Sequence, residues 1–172
     1  SRIMNPTQAA LEARLNALEG GCTTAIGIPG TLVVASGQAA ETLTFMTLCE
    51  AGDHIVASAS LYGGTYNLLH YTLPKLGITT TFVDGTDPQA FAAAIDDHTK
   101  AVFLELIGNP RLDVHDLRAI ADVAHAKGVP VIVDNTFASS LLQRPLDLGA
   151  DLSLLSTTKY TNGHSDALGG AV

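Results

Sequence analysis

The sequence predicts an α/β domain built on a mostly parallel sheet flanked by helices. Three observations carry that prediction. Short β-rich apolar runs alternate with helical patterns from end to end. Val129–Val133 is nearly continuous in apolar residues, the pattern of a strand covered on both faces, and Asp151–Leu155 is a second such run. No repeat, linker or low-complexity tract breaks the alternation, and 172 residues suit one domain with a substantial core.

Each element has its own signal. Asn5-Pro6 reads as a helix N-cap with proline in the first helical position. Leu11, Leu15 and Leu18 then share one face before Gly20-Gly21 stops the helix. Leu32–Val34 is a short apolar run, after which a second helix opens near Gly37 and carries Leu43, Met46 and Leu48. His54–Ala59 predicts a strand, Thr65–Leu73 a helix and Thr79–Val83 a strand. Asp87-Pro88 repeats the cap-plus-proline signal ahead of Phe91 and Ile95, and Ala101–Ile107 is β-rich. Leu117, Ile120, Ala121 and Ala124 mark an amphipathic helix ended by Lys127-Gly128, ahead of the two apolar runs already named.

Composition excludes several classes of function. At 47% hydrophobic and 15% charged residues, the chain can bury a core and is not a disordered segment. A net charge of -8, with nine basic residues scattered rather than clustered, argues against a nucleic-acid partner. No apolar stretch reaches the length of a membrane helix, and no basic n-region with an apolar h-region opens the chain. Cys22 and Cys49 are too few and too far apart for a zinc site or a disulfide framework, which points to free thiols in a reducing cytoplasm.

Parallel sheets collect ligands at the carboxyl ends of their strands, and several polar residues occupy that position here. Ser156-Thr157-Thr158-Lys159-Tyr160 follows the apolar run Leu152–Leu155. A lysine desolvated there would be driven toward its neutral, carbonyl-reactive form, while Ser156 and Thr158 supply hydroxyls suited to a phosphate ester. A surface lysine in a Ser/Thr-rich loop is the plainer alternative. Ala35-Ser36-Gly37-Gln38 opens a helix and offers free N–H groups to an anion, though an ordinary strand-to-helix turn reads the same way. Tyr62, after the next strand, offers a flat ring to a planar ligand or packs in the core. Gly108-Asn109-Pro110 ends its strand in a turn that needs no function. Asp134 ends the strand Val131-Ile132-Val133 in apolar surroundings and needs a cationic or hydrogen-bonding partner. Together these residues supply what pyridoxal 5′-phosphate requires: an amine for the aldehyde, donors for the phosphate, a ring to stack on, and a carboxylate for the pyridine nitrogen. An opposing carboxylate moves such a pKa by roughly 1–3 units and keeps the ring an electron sink. A nicotinamide cofactor is disfavoured, because no G-x-G-x-x-G occurs.

Six stretches resemble one family in its order: Ser1-Arg2-Ile3-Met4-Asn5-Pro6-Thr7, Ala35–Ala40, Leu61–Thr65, Gly108-Asn109-Pro110, Val133–Phe137 and Ser156–Tyr160. That family is the Cys/Met-metabolism group of pyridoxal-phosphate enzymes, which includes the O-acetylhomoserine sulfhydrylases, cystathionine γ-synthases, cystathionine γ-lyases and methionine γ-lyases. Gly37–Thr42 and Leu61–Leu73 are most similar to the sulfhydrylases. The resemblance implies the large domain of a fold-type-I transferase and a homo-oligomer acting on a small amino-acid substrate. It implies γ-replacement on an O-acylhomoserine with sulfide or a thiol. Lys159 would match the lysine of the internal aldimine, and Gly37 and Gln38 the backbone phosphate donors, with Ser156 and Thr158 as hydroxyl donors. Tyr62 would match the stacked, proton-transferring tyrosine, Asp134 the partner of the ring nitrogen and Asn109 a neighbour of the phenolic oxygen. Arg2 would match an arginine reaching the phosphate of the neighbouring subunit.

Departures from the family pattern set further expectations. Residues 1–172 correspond to the large-domain core, without the N-terminal arm and its tyrosine or the C-terminal small domain that supplies an arginine for the substrate carboxylate. Cys22–Thr31 reads as longer than the family's segment, with a Gly27-Ile28-Pro29-Gly30 loop that could displace the phosphate turn. Gly64 stands where methionine γ-lyases carry cysteine, while Gly163-His164-Ser165-Asp166 is closer to the lyases and synthases. Cystathionine γ-synthase or γ-lyase activity is therefore the alternative reaction. A cofactor-binding module without turnover is the alternative to an enzyme.

Overall fold

A computed structural model describes residues 5–172. Helix α1 (Pro6–Glu19) starts where the cap signal placed it, with Asn5 accepting from the Thr7 N–H at 3.0 Å. The segment after it closes on itself: Thr23 bridges Pro29, and the Thr24 and Gly30 N–H groups reach back to Ile28 and Cys22. A short strand β1 (Val33–Val34) leads into α2 (Gly37–Leu48), capped by Ser36, whose Oγ accepts from the Ala39 N–H.

From there the chain alternates. Strand β2 (His54–Ser58), helix α3 (Gly63–Asn67), β3 (Thr79–Val83), α4 (Pro88–Ala94), β4 (Thr99–Glu105), α5 (Leu117–His125), β5 (Val131–Asp134), the short α6 (Ser139–Leu142) and β6 (Leu152–Leu154) follow in turn. All five of these strands run parallel, in the order β3-β2-β4-β5-β6. The predicted helix over 65–73 begins two residues earlier, passes through a wider turn at Leu68–Thr72 and a tighter one at Leu73–Leu76, and stops at Gly77, whose φ is 81°. A last strand, β7 (Gly170–Ala171), has no signal in the sequence. It pairs antiparallel with β1, and a bridge from Ala171 to Leu155 joins this ribbon to the β6 edge.

Successive strand residues point to opposite faces, so the sheet divides the core in two. Val56, Val102, Leu104, Val131 and Val133 pack with Phe91 of α4 and Leu117, Ile120 and Ala124 of α5. Ile55, Ala57, Ala101, Phe103 and Ile132 pack on the other face with Phe45 of α2 and Leu68, Leu69 and Leu73. Phe45 meets Phe103 edge-on, with centroids 5.2 Å apart. Each buried side chain of this size contributes about 1.5–3 kcal/mol through removal from water. Two expectations about faces change. Helix α2 buries Ala40, Glu41, Thr44 and Phe45 and leaves Leu43 and Met46 exposed, because it is apolar on several sides and its small Ala40 face permits the closest approach to the sheet. In α1 only Leu15 of the three leucines is buried, and Leu11 and Leu18 face out.

Candidate active site

The strand order turns at β2: the chain steps from it to β3 on one side and reaches β4 on the other. Such a switch point opens a crevice beyond the carboxyl ends of the strands. A cavity of about 290 Å³ lies there, lined by the start of α2 and by residues just past β2, β4, β5 and β6. Gly37, Gln38, Tyr62, Asn109, Asp134, Ser156, Thr158 and Lys159 all reach it. Arg2 lies outside the described residues.

Ser36, Gly37 and Gln38 at the start of α2 line this space, and a helix N-terminus favours anions. A side chain at Gly37 would meet Ser156 Cβ at 2.7 Å and its Cα at 3.0 Å, so glycine permits this approach of turn to strand end. The loop at 22–31 folds back on itself, and the turn at Gly37 lies in contact with Ser156. Thr158 lines the cavity with its hydroxyl engaged by Gly169, donating to the carbonyl at 3.2 Å and accepting from the N–H at 3.0 Å. The Ser156 N–H donates to Thr136 Oγ1 at 2.8 Å.

Lys159 departs from expectation. It is exposed rather than buried, because β6 ends at Leu154 and the following turn, closed by the Lys159 N–H on the Ser156 carbonyl, carries the side chain past the sheet into the open cavity. Tyr62 is also exposed, which removes the core-packing alternative, and its ring lies against Gly64, where an added Cβ would meet Cε1 at 2.5 Å. Asp134 Oδ1 accepts from the Thr136 N–H at 2.8 Å, and burial raises its carboxyl above the ordinary range.

Two glutamates escape the sequence reading. Glu105 ends β4, is 5% exposed, and accepts backbone N–H groups from Tyr62 and Asn109, so it pins the loops on both sides of the switch point. Glu41, on the buried face of α2, accepts from Thr65 Oγ1 at 2.8 Å and from Gln38 Nε2 at 2.7 Å. Burial first, and then the neighbouring acids, push both carboxyls up to about 8. Among the described residues neither is in an ion pair. The missed signal for Glu105 is a lone acid inside the apolar run Ala101–Ile107. Glu41 falls in an ordinary helical pattern and carries no such mark.

Fold and cavity define a class: a parallel α/β domain whose carboxyl edge gathers an amine, hydroxyls, a helix N-terminus and buried acids. Comparison with known proteins narrows it. A sequence profile of the Cys/Met metabolism PLP-dependent enzymes matches residues 1–172, and the chain belongs to that pyridoxal-phosphate-dependent family. It is 50% identical over its whole length to the O-acetyl-L-homoserine sulfhydrylase of Leptospira meyeri and to the homocysteine synthase of Schizosaccharomyces pombe, covering 37% and 39% of them. The chain thus spans about two fifths of the length of these curated relatives. The crystal structure of cystathionine gamma-lyase from Lactobacillus plantarum complexed with L-serine superposes on 99% of the chain with a TM-score of 0.91 at 45% identity. This match covers 42% of that protein. The metB protein of Corynebacterium glutamicum superposes equally well at 42% identity, with 99% of this chain and 43% of that one covered.

Proposed function

We propose that the chain binds pyridoxal 5′-phosphate in the cavity beyond β2, β4, β5 and β6, as the cofactor-binding part of a trans-sulfuration enzyme. The observation that carries this reading is convergence: eight residues from five separate segments meet in one cavity around Lys159. The donor set suits the group. The Gly37 and Gln38 N–H groups with Ser156 and Thr158 would hold the phosphate, the Tyr62 ring would offer a stacking face, Asn109 would serve the phenolic oxygen and Asp134 the ring nitrogen. Three buried or half-buried acids line the cavity with one cation, Lys159, among the described residues, which favours a ligand that brings a further positive charge. Arg2 is assigned, by resemblance, to the phosphate of a neighbouring subunit.

When bound, the cofactor supplies an electron sink for carbanion chemistry beside the substrate nitrogen. The chain's own groups do the rest. Lys159 Nζ would be the amine that holds the cofactor's aldehyde carbon, and the same amine would move protons along the substrate. Asp134 would keep the ring nitrogen protonated, and Tyr62 would assist proton transfer from a backbone that Glu105 holds fixed.

The reaction we assign is γ-replacement on an O-acylhomoserine with sulfide or a thiol, supported by the names of the relatives at 50% identity. Cystathionine γ-synthase or γ-lyase chemistry is the second reading, favoured by the Gly163–Asp166 segment and by the lyase structure. A homo-oligomer is supported by exposed apolar side chains such as Leu141, Leu142 and Leu168, and a cytoplasmic setting by the free thiols Cys22 and Cys49. Homocysteine formed from O-acetylhomoserine and sulfide supports the first reaction, and cystathionine turnover alone supports the second. Cofactor binding with neither product leaves a binding module. Lys159→Ala abolishes the visible absorbance and the borohydride-fixed adduct while leaving the fold intact. An adduct that persists at Lys75, Lys100 or Lys127 refutes the assignment.

A further inference from the structure

A buried polar cluster at the end of β2 takes no part in the scheme above. Ser58 is the last residue of β2, Ser60 follows two residues before Tyr62, and His115 comes from the limb that returns from β4 toward α5. None of the three is more than 5% exposed. His115 Nε2 lies 3.2 Å from Ser58 Oγ, and the same hydroxyl accepts from the Ser60 N–H at 3.1 Å. One hydroxyl can make both bonds, whichever nitrogen of a neutral imidazole carries the proton.

This corner meets both loops of the switch point. Tyr62 follows it directly, and Glu105 takes the Tyr62 N–H. Gly108, one residue before Asn109, packs so closely on Ser60 that a Cβ there would strike the serine side chain and meet its carbonyl oxygen at 2.9 Å. The returning limb is held as well, since Val114 bridges Ile107 and the Gly108 N–H donates to the Asp113 carbonyl at 2.9 Å. The Tyr62 loop and the Asn109 turn therefore share one buried corner.

The arrangement costs stability. Ser60 Oγ and His115 Nδ1 are buried without a hydrogen bond among the described residues, and the imidazole stands edge-on to Phe91 with centroids 5.9 Å apart. An apolar side chain of similar size would avoid that cost. What it could not supply is a directional bond, which selects one geometry where packing alone allows several.

We propose that His115 is a positioning residue: through Ser58 it fixes the corner at 58–60, and with it the placing of Tyr62 and Asn109 on the cofactor. This rests on the reading that pyridoxal phosphate occupies the cavity. Burial holds the imidazole below its ordinary range against the pull of Asp113, so the neutral form that suits this bond prevails at pH 7.

Two measurements test it. Hydrogen exchange in the cofactor-free protein reads the Tyr62 and Asn109 amides, whose own bonds to Glu105 no variant touches. Cofactor dissociation constants read the consequence. His115→Leu fills the space without the bond, so both amides should exchange about tenfold faster while those of β4 and β5 keep wild-type rates, and affinity should fall roughly fivefold to tenfold. His115→Gln sets an amide near the place of Nε2 and should bring affinity back to within about twofold of wild type. Ser58→Ala removes the same bond and leaves the packing of the imidazole alone; it should reproduce the leucine variant, and it decides the matter where leucine unsettles the whole sheet. Wild-type exchange and affinity in Ser58→Ala, or equal losses with Gln and Leu, overturn the proposal. If the wild-type protein does not bind pyridoxal phosphate, the underlying reading falls, while the exchange rates still decide whether His115 holds the corner.

Discussion

Gly37 and Gly63 both open helices, and alanine should have opposite effects at the two positions. At Gly37 the new Cβ would lie 2.7 Å from Ser156 Cβ and 3.0 Å from Ser156 Cα, whereas ordinary contact begins at 3.4 Å. The start of α2 must therefore retreat by roughly 0.7 Å, and because Ser156 Cα is backbone no side-chain rotation relieves the clash. Overpacking of this kind costs about 1–3 kcal/mol, against a gain of up to about 1 kcal/mol from replacing glycine in a helix. The clash wins, leaving a net loss of about 1 kcal/mol, which lowers Tm by about 2–4 °C in a domain of this size. The retreat also carries the Gly37 and Gln38 N–H groups away from a bound phosphate, and charge-assisted bonds of that type are worth about 1.5–3 kcal/mol. Cofactor affinity should fall at least tenfold. At Gly63 nothing lies within 4 Å of the added Cβ, so the same substitution leaves Tm unchanged or raised and affinity unaltered. Thermal melts of the cofactor-free protein and cofactor titrations, run on both variants, decide the matter. If Gly37→Ala melts and binds like Gly63→Ala, the close approach of turn and strand end is not what builds the phosphate site.

Other perturbations probe the remaining walls. Gly64→Cys sets a Cβ against the Tyr62 ring, so the ring must swing away; we expect an altered cofactor spectrum and a lower kcat, and an unchanged spectrum contradicts the packing. Glu105 has its carboxyl raised to about 8 from an ordinary value of 4.5, so in the folded protein it keeps a proton that the unfolded chain releases. Its stabilising contribution is complete below pH about 4.5 and is lost as pH climbs toward 8, at about 1.4 kcal/mol per pH unit. Glu105→Gln removes that slope, and urea unfolding of the cofactor-free protein at several pH values should show a shallower decline than wild type; equal declines refute it. Asp134→Asn should weaken cofactor binding and remove most turnover, measured by titration and by product formation, and wild-type turnover would contradict its assignment.

Much of the architecture is legible in the residues because parallel strands buried on both faces must be apolar throughout. Val131–Val133 and the cap-plus-proline pairs at Asn5-Pro6 and Asp87-Pro88 mark their elements for that reason. The polar residues at strand ends were legible too, since a parallel sheet brings all carboxyl ends to one edge. Three things were not. Periodicity cannot choose the docking face of a helix that is apolar on several sides, so Leu43 and Met46 looked as buriable as Ala40 and Phe45. A two-residue strand such as Gly170–Ala171 carries no period at all. The burial of Lys159 and of Glu41 is set by tertiary neighbours, and local sequence marks the first too strongly and the second not at all.

The antiparallel ribbon has a consequence in time. Gly170 lies so close to the Ser36 carbonyl and the Gly37 nitrogen that any side chain there would strike them, and Thr158 is held by Gly169. The turn at Ser36-Gly37 thus leans on residues made much later than itself. A ribosome emits Ser36 and Gly37 long before Gly169 and Gly170, so the turn waits, without its support, through the synthesis of the whole parallel sheet. The turn gains that support only once 169–171 have been made, and substitutions there should act on the yield of cofactor-competent protein as strongly as substitutions at Gly37 itself.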